Sequence, residues 1–254
     1  MRDNNEDAYR LAPALNLFLL SDGMGGEAHG EVASALAVEI VERHCLEAAN
    51  NRAAAFFGEP RPDLSEKTNR LESAVHLANR RIYEAAQAHP AQRGMGATIL
   101  AAWLADQRLS LVHVGDSRAY LLRGGALEQL TADHSLVAEQ VRRGIITAQQ
   151  ADTSTLQSVL TRALGTHEEV EVDADEHVLL DGDTLLLCSD GLTRMVTDPE
   201  IASTLLTYPR PPAAADRLVA LANDYGGEDN ITVVVVRIAL GNGGLFGRLR
   251  RWAS

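Results

Sequence analysis

The chain has 254 residues, of which 46% are apolar and 23% charged, so it can build a sizeable core and is not intrinsically disordered. It carries 35 acidic and 23 basic residues, and its formal net charge of -12 argues against a nucleic-acid partner. The two cysteines, Cys45 and Cys188, lie far apart in apolar runs, which excludes a disulfide framework and a cysteine-based zinc site. No apolar signal segment or membrane-spanning run is present, so we expect a cytoplasmic protein.

The chain begins with two predicted amphipathic helices, at 32–45 and 71–85, where apolar residues recur every three to five positions. Strands are predicted in the apolar or alternating runs at 97–104, 109–114, 119–123, 178–180, 184–188 and 231–238. Several of the turns between them are too short for a crossover helix, which favours antiparallel pairing.

Segments 135–143 and 148–160 are helical or irregular, and late helices are predicted at 199–206 and 213–223. This order of elements favours an α+β fold in which helices cover antiparallel sheets. We expect one domain at 1–240, followed by a flexible basic-apolar tail at 241–254. A solvated tail is favoured over membrane contact, because three arginines provide only weak surface attraction.

Acidic residues recur where apolar strands meet turn residues. They occur in the segments NNED from Asn4, SDGMGG from Ser21, VGDS from Val114, CSDG from Cys188 and EDN from Glu228. Carboxylates held at strand ends offer preorganised oxygen ligands to hard divalent cations, and they would repel one another if they converged without such ions. An all-oxygen ligand set selects Mg²⁺ or Mn²⁺ over zinc. Each segment alone is more typical of an ordinary turn than of a metal site, so only their combination indicates a metal site.

In combination these segments resemble the protein phosphatase type 2C family, also called PPM, and in particular its bacterial metal-dependent serine/threonine phosphatases. The motifs occur in the family's order along nearly the whole chain. They are RDNNED from Arg2, DGMGG from Asp22, GMGAT from Gly94, VGDSRAY from Val114, LTADHS from Leu130, LTRALG from Leu160, SDGL from Ser189 and EDNIT from Glu228.

The resemblance implies an α-β-β-α sandwich, in which two packed antiparallel sheets are flanked by helices and hold a binuclear metal site between them. It assigns Asp22 as the carboxylate that bridges two Mn²⁺ or Mg²⁺ ions, and Gly23 as a carbonyl ligand. Asp190 and Asp229 would complete the second ion's shell. The remaining roles implied are metal ligation, direct or through water, by Glu6 and Asp7, a third, weaker ion at Asp116, and a grip on the substrate phosphate by Arg2.

The resemblance also implies a reaction: a metal-bridged hydroxide hydrolyses phosphoserine and phosphothreonine in proteins, opposing a bacterial serine/threonine kinase. Phosphorylated proteins, either a kinase or its substrates, are then the expected partners, and the enzyme is expected to be a monomer. Segment 140–155 corresponds to the flap near the cleft. Arg194 stands where animal members have an aspartate that contributes to the third ion, which weakens that site.

Two other functions are alternatives to this one. A catalytically weak phosphoprotein-binding or sensor module on the same fold predicts the loss of Asp22, Asp190 or Asp229, and all three are present. A two-metal nuclease would use the same ions, but the acidic balance of the chain argues against it.

Overall fold

Two antiparallel sheets form the centre of the fold in the computed structural model, which describes residues 4–25, 29–51 and 53–240. The first sheet has the strand order β1-β2-β4-β5-β8, and β3 also pairs with β2. Its strands are β1 (Asp7–Ala12), β2 (Leu17–Met24), β3 (Gly96–Ala97), β4 (Ile99–Ala105), β5 (Arg108–Val114) and β8 (Asp173–Val178). The second sheet has the order β10-β9-β6-β7 and consists of β6 (Arg118–Arg123), β7 (Ala126–Gln129), β9 (Thr184–Cys188) and β10 (Val233–Arg237).

Helices cover the outer face of each sheet. Two long helices, α1 (His29–Asn50) and α2 (Glu66–Ala88), pack on the first sheet. The second sheet is covered by α6 (Asp198–Thr207) and α7 (Pro211–Asp224). Three short helices lie between them in sequence: α3 (Leu136–Arg142), α4 (Ala148–Ala151) and α5 (Asp190–Thr193). No described helix is both long enough and apolar enough to cross a membrane.

Three apolar layers hold these elements together. One lies between α1, α2 and the first sheet, and it contains Val41, Leu71 and Ile99. The middle layer joins the two sheets, with Leu100 of β4 and Leu187 of β9 both fully buried. A third layer packs β6, β9 and β10 on α6 and α7. Within any one central strand, alternate side chains therefore point into the two layers on either side of the sheet.

The fold predicted from the sequence, an α-β-β-α sandwich, is confirmed. The four long helices contain the predicted segments, and five of the six predicted strand segments coincide with strands over most of their length. The prediction at 178–180 was wrong, because β8 ends at Val178 and Leu179 turns into the layer between the sheets. Strand β8 was not predicted, because its sequence is acidic. It lies at the edge of the first sheet, where charged side chains are tolerated.

Candidate metal centre

The sheets deliver carboxylates from both sides of one cleft. Asp7 at the start of β1 is the direct register partner of Asp22 near the end of β2. From the second sheet, Asp190 follows β9 as the first residue of α5, and Asp229 lies in the loop before β10. Asp116 lies in the turn between β5 and β6 and is 8% exposed. The structure thus brings together four of the aspartates predicted as ligands, and Asp116 beside them.

A hydroxyl group joins the two halves of this site. Ser189 Oγ donates a hydrogen bond of 2.8 Å to Asp7 Oδ2, which links the second sheet to the first. The same Oγ accepts the backbone N–H of Thr232 at 3.0 Å. Asp7 Oδ1 is buried and has no hydrogen-bond partner among the described residues. A buried carboxylate oxygen without a partner is costly, so its environment suits a bound cation.

Asn230 fixes the segment that carries Glu6 and Asp7. Its Oδ1 accepts the backbone N–H of Glu6 at 2.9 Å, and its Nδ2 donates to the backbone oxygen of Asn4 at 3.0 Å. These two hydrogen bonds tie the start of β1 to the loop that carries Asp229. Sequence reasoning did not assign this role to Asn230, although the residue lies inside the EDN segment.

Gly23 occupies a position where no side chain fits. Its backbone N–H donates to the oxygen of Glu6 at 3.0 Å. A methyl group on Gly23 would lie 2.1 Å from the backbone oxygen of Gly30 and 2.7 Å from that of Glu6. The close approach of β2 to the first turn of α1 therefore requires glycine here. The Glu6 carboxylate lies against the same turn, because a methyl group on Gly30 would come within 2.7 Å of its Oε1.

The backbone of Asp22 is held from the other side by Thr98, between β3 and β4. Thr98 Oγ1 accepts the Asp22 N–H at 2.9 Å, and the Thr98 N–H donates to the Asp22 oxygen at 2.8 Å. Thr98 Oγ1 also shares a hydrogen bond of 2.9 Å with Ser117 Oγ, next to Asp116. The role of Thr98 was missed from sequence, although it belongs to the GMGAT segment.

The electrostatics of the site disfavour full ionisation of its carboxylates. Burial raises the pKa of Asp22 well above its usual value, and the charges of Asp7 and Asp190 raise it further. Burial likewise raises the pKa of Asp7. The pKa of Asp116 rises to about 7, because of burial and then the neighbouring Asp190 and Asp133, while Arg194 opposes the shift. Positive charge in the cleft would relieve this repulsion.

Arg194 supplies part of that charge. Its Nη2 forms an ion pair with Asp190 Oδ2, and its Nη1 lies 3.7 Å from Asp229 Oδ2. Its side chain is 26% exposed. Arg194, which departs from the family pattern, therefore contacts two of the predicted metal ligands.

A second cluster, His113, His134 and Asp173, brings its ligand atoms within 4.8 Å of one another. Its hydrogen bonds give it a different role. His134 Nδ1 accepts the Gly115 N–H at 3.1 Å, which leaves the proton on Nε2 facing Asp173 Oδ2 at 3.2 Å. Arg162 Nη1 donates to the same carboxylate at 2.6 Å. Through the hydrogen bond from Gly115 to His134, the cluster braces the turn that carries Asp116.

A cleft of about 920 Å³ opens beside the aspartates. Its lining includes Asp116 and Asp190, together with Val141, Ala148 and Asp152 of the predicted flap. The loop that leads into α6 also contributes to the lining. Arg2, predicted to grip the phosphate, and the tail at 241–254 lie outside the described residues.

Comparisons with known proteins show which family the chain resembles in sequence. A sequence profile of the family Protein phosphatase 2C matches residues 2–223. The serine/threonine phosphatase stp of Listeria monocytogenes is 38% identical over 239 residues, which cover 93% of this chain and 91% of the relative. The serine/threonine protein phosphatase PstP of Mycobacterium tuberculosis is 40% identical over 238 residues, covering 94% of this chain and 43% of that protein.

Solved structures extend the likeness to three dimensions. A structure of the catalytic domain of PstP in complex with two manganese ions superposes with a TM-score of 0.77 at 40% identity, covering 92% of each chain. The serine/threonine phosphatase of S. agalactiae superposes with a TM-score of 0.80 at 34% identity, covering 93% of both chains. The profile match, the two relatives and the shared fold confirm the resemblance seen in the motifs, and the chain belongs to the protein phosphatase 2C family.

Proposed function

We propose that the chain hydrolyses phosphoserine and phosphothreonine in proteins, using two divalent cations, Mn²⁺ or Mg²⁺, held in the cleft between the sheets. One observation carries the proposal: both sheets present buried or half-buried aspartates to the same space, where Asp7 Oδ1 is buried without a hydrogen-bond partner among the described residues. The names of the relatives, which are serine/threonine phosphatases, support the reaction class.

The donor set fits hard cations. The carboxylates of Asp7, Asp22, Asp190 and Asp229, with the carbonyl of Gly23 and the carboxylate of Glu6, offer only oxygen. When bound, the two ions would lower the pKa of a water that serves as nucleophile and would offset charge on the phosphoryl oxygens.

The protein's own residues hold this set in place. Thr98 and Ser189 fix the strand ends that carry Asp22 and Asp7, and Asn230 fixes the backbone of Glu6. Preorganisation of this kind matters because phosphoryl transfer depends mainly on positioning and on charge stabilisation. Arg2 is proposed to hold the substrate phosphate, since its planar guanidinium donates two parallel hydrogen bonds to such an anion.

The wider context is part of the same proposal. A phosphatase domain at 1–240 with a solvated tail at 241–254 would act in the cytoplasm as a monomer, in signalling that opposes a serine/threonine kinase. Its substrates are then phosphorylated proteins, either the kinase or the proteins that the kinase modifies. The net charge of -12 supports the expectation that nucleic acid is not a partner.

The test is phosphate release from a phosphothreonine peptide with Mn²⁺, compared with release in the presence of a chelator. Asp22→Asn removes a central carboxylate and should lower the rate at least about 100-fold. Asp216→Asn, which changes an exposed aspartate on α7, is the matched control and should retain the activity. A folded, Mn²⁺-replete wild-type protein that binds the peptide without turnover would contradict the enzyme function and favour a phosphoprotein-binding module.

A further inference from the structure

Arg194 lies among carboxylates that are predicted to bind metal ions. It forms an ion pair with Asp190 and approaches Asp229 at 3.7 Å. The side chains of these aspartates are 11% and 13% exposed. The guanidinium is therefore a largely desolvated charge within the cluster, and not a surface arginine that happens to lie nearby.

The local structure fixes Arg194 in this position. Asp190 begins the short helix α5, and Arg194 is the C-cap residue directly after its end. The backbone N–H of Arg194 donates to the Asp190 oxygen at 2.9 Å. A separation of four residues on a helical turn places the two side chains on the same face. The helical turn thus holds the Arg194 guanidinium beside the Asp190 carboxylate that it neutralises. Unlike a metal ion, this positive charge does not have to bind from solution.

The same guanidinium reaches the side of the cleft where Asp116 lies. Asp116, Asp190 and Arg194 line the same cavity. The Arg194 charge also lowers the pKa of the Asp116 carboxyl and so opposes the effect of burial. A further divalent ion between Asp116 and Asp190 would have to approach a positive charge that is already in contact with one of its two ligands.

We propose that the Arg194 guanidinium takes the place of a third cation beside Asp116 and Asp190, so that this chain binds two divalent ions and not three. The inference rests on the proposed function, because it presupposes the binuclear centre. It replaces the expectation of a weak third ion at Asp116 with a resident charge supplied by the chain itself.

The experiment counts bound Mn²⁺ per chain from the free-ion signal in electron paramagnetic resonance, with circular dichroism to verify folding. The wild-type protein should saturate at two ions. Arg194→Gln removes the charge and Arg194→Asp adds a carboxylate, and both should bind a third ion at the Mn²⁺ concentration where wild type is saturated with two. Arg194→Lys keeps the positive charge and should stay at two.

Arg43→Gln is the matched control, because Arg43 pairs with Glu39 at the same four-residue spacing on the exposed face of α1. It should leave the count at two. The proposal is overturned if wild type binds three ions, or if folded Arg194→Gln binds only two. A wild-type protein that binds no Mn²⁺ would instead refute the binuclear centre of the proposed function, and the inference would fall with it.

Discussion

The strongest electrostatic prediction concerns Asp116 in the metal-free protein. Its pKa rises from 3.8 to about 7 in the fold, chiefly because the carboxyl is buried. A carboxyl whose folded pKa is raised binds more protons in the folded than in the unfolded state, so its effect on stability is least adverse at low pH. As the pH climbs from below 3.8 through 7, the folded protein should lose stability on account of this group.

The size of the effect follows from the same values. Full ionisation of Asp116 costs the fold at most roughly 4 kcal/mol, since each step of one in pKa corresponds to about 1.4 kcal/mol. About 2–3 kcal/mol of this cost develops between pH 5 and pH 8. Asp116→Asn replaces the carboxyl with a neutral amide of similar shape and should remove the pH-dependent part.

The assay is urea unfolding of both proteins in chelator at several pH values. The free energy of unfolding of Asp116→Asn should exceed that of wild type by an amount that grows with pH over this range. Asp216→Asn controls for the loss of one exposed carboxylate and should run parallel to wild type. A constant difference between Asp116→Asn and wild type from pH 5 to pH 8 would refute the reasoning about burial.

The other predictions concern the backbone around the site and its ions. Asn230→Ala removes two hydrogen bonds to residues 4 and 6. It should lower the free energy of unfolding in urea by about 2 kcal/mol and weaken Mn²⁺ binding. Unchanged Mn²⁺ binding would mean that other contacts position Glu6 and Asp7. Gly23→Ala places a methyl group 2.1 Å from the Gly30 oxygen, so Mn²⁺ titration should show loss of tight binding. A variant that binds Mn²⁺ normally would show that β2 and α1 separate easily. Mn²⁺ at 100 times its dissociation constant should stabilise wild type by about 2.7 kcal/mol and Asp22→Asn by much less, measured as the shift in thermal unfolding; equal shifts would place the ion elsewhere.

The layered architecture could be predicted from the sequence because its determinants are local. Apolar runs at 109–114 and 184–188 specify strands whose two faces both meet a packed layer. Strands β1 and β7 were harder to recognise, because they lie at sheet edges and alternate buried with exposed residues only weakly. Their pairing is decided by the neighbouring strand and not by their own composition.

The site could be predicted only in part, for a similar reason. Aspartates at strand ends are visible in the motifs, but the groups that hold them come from distant segments. Asn230 and Glu6 are 224 residues apart, and Ser189 and Asp7 are 182 apart. No periodicity or spacing connects such pairs, so the hydrogen bonds that set the site's geometry emerge only from the folded chain.

Charge balance connects the site to the stability of the fold. The aspartates at 7, 22, 116, 190 and 229 would carry five negative charges if all were ionised, and those of Asp7, Asp116, Asp190 and Asp229 each raise the pKa of Asp22. Arg194 offsets one of the five. Two divalent cations would offset four more charges, so a third ion would find less negative charge to attract it. Protons on the raised-pKa carboxyls fill the same role when no ions are bound, which is why binding of Mn²⁺ should release protons from this protein. Arg194 thus lets the chain fold with part of its site already neutralised, and it fixes how much positive charge the site still requires.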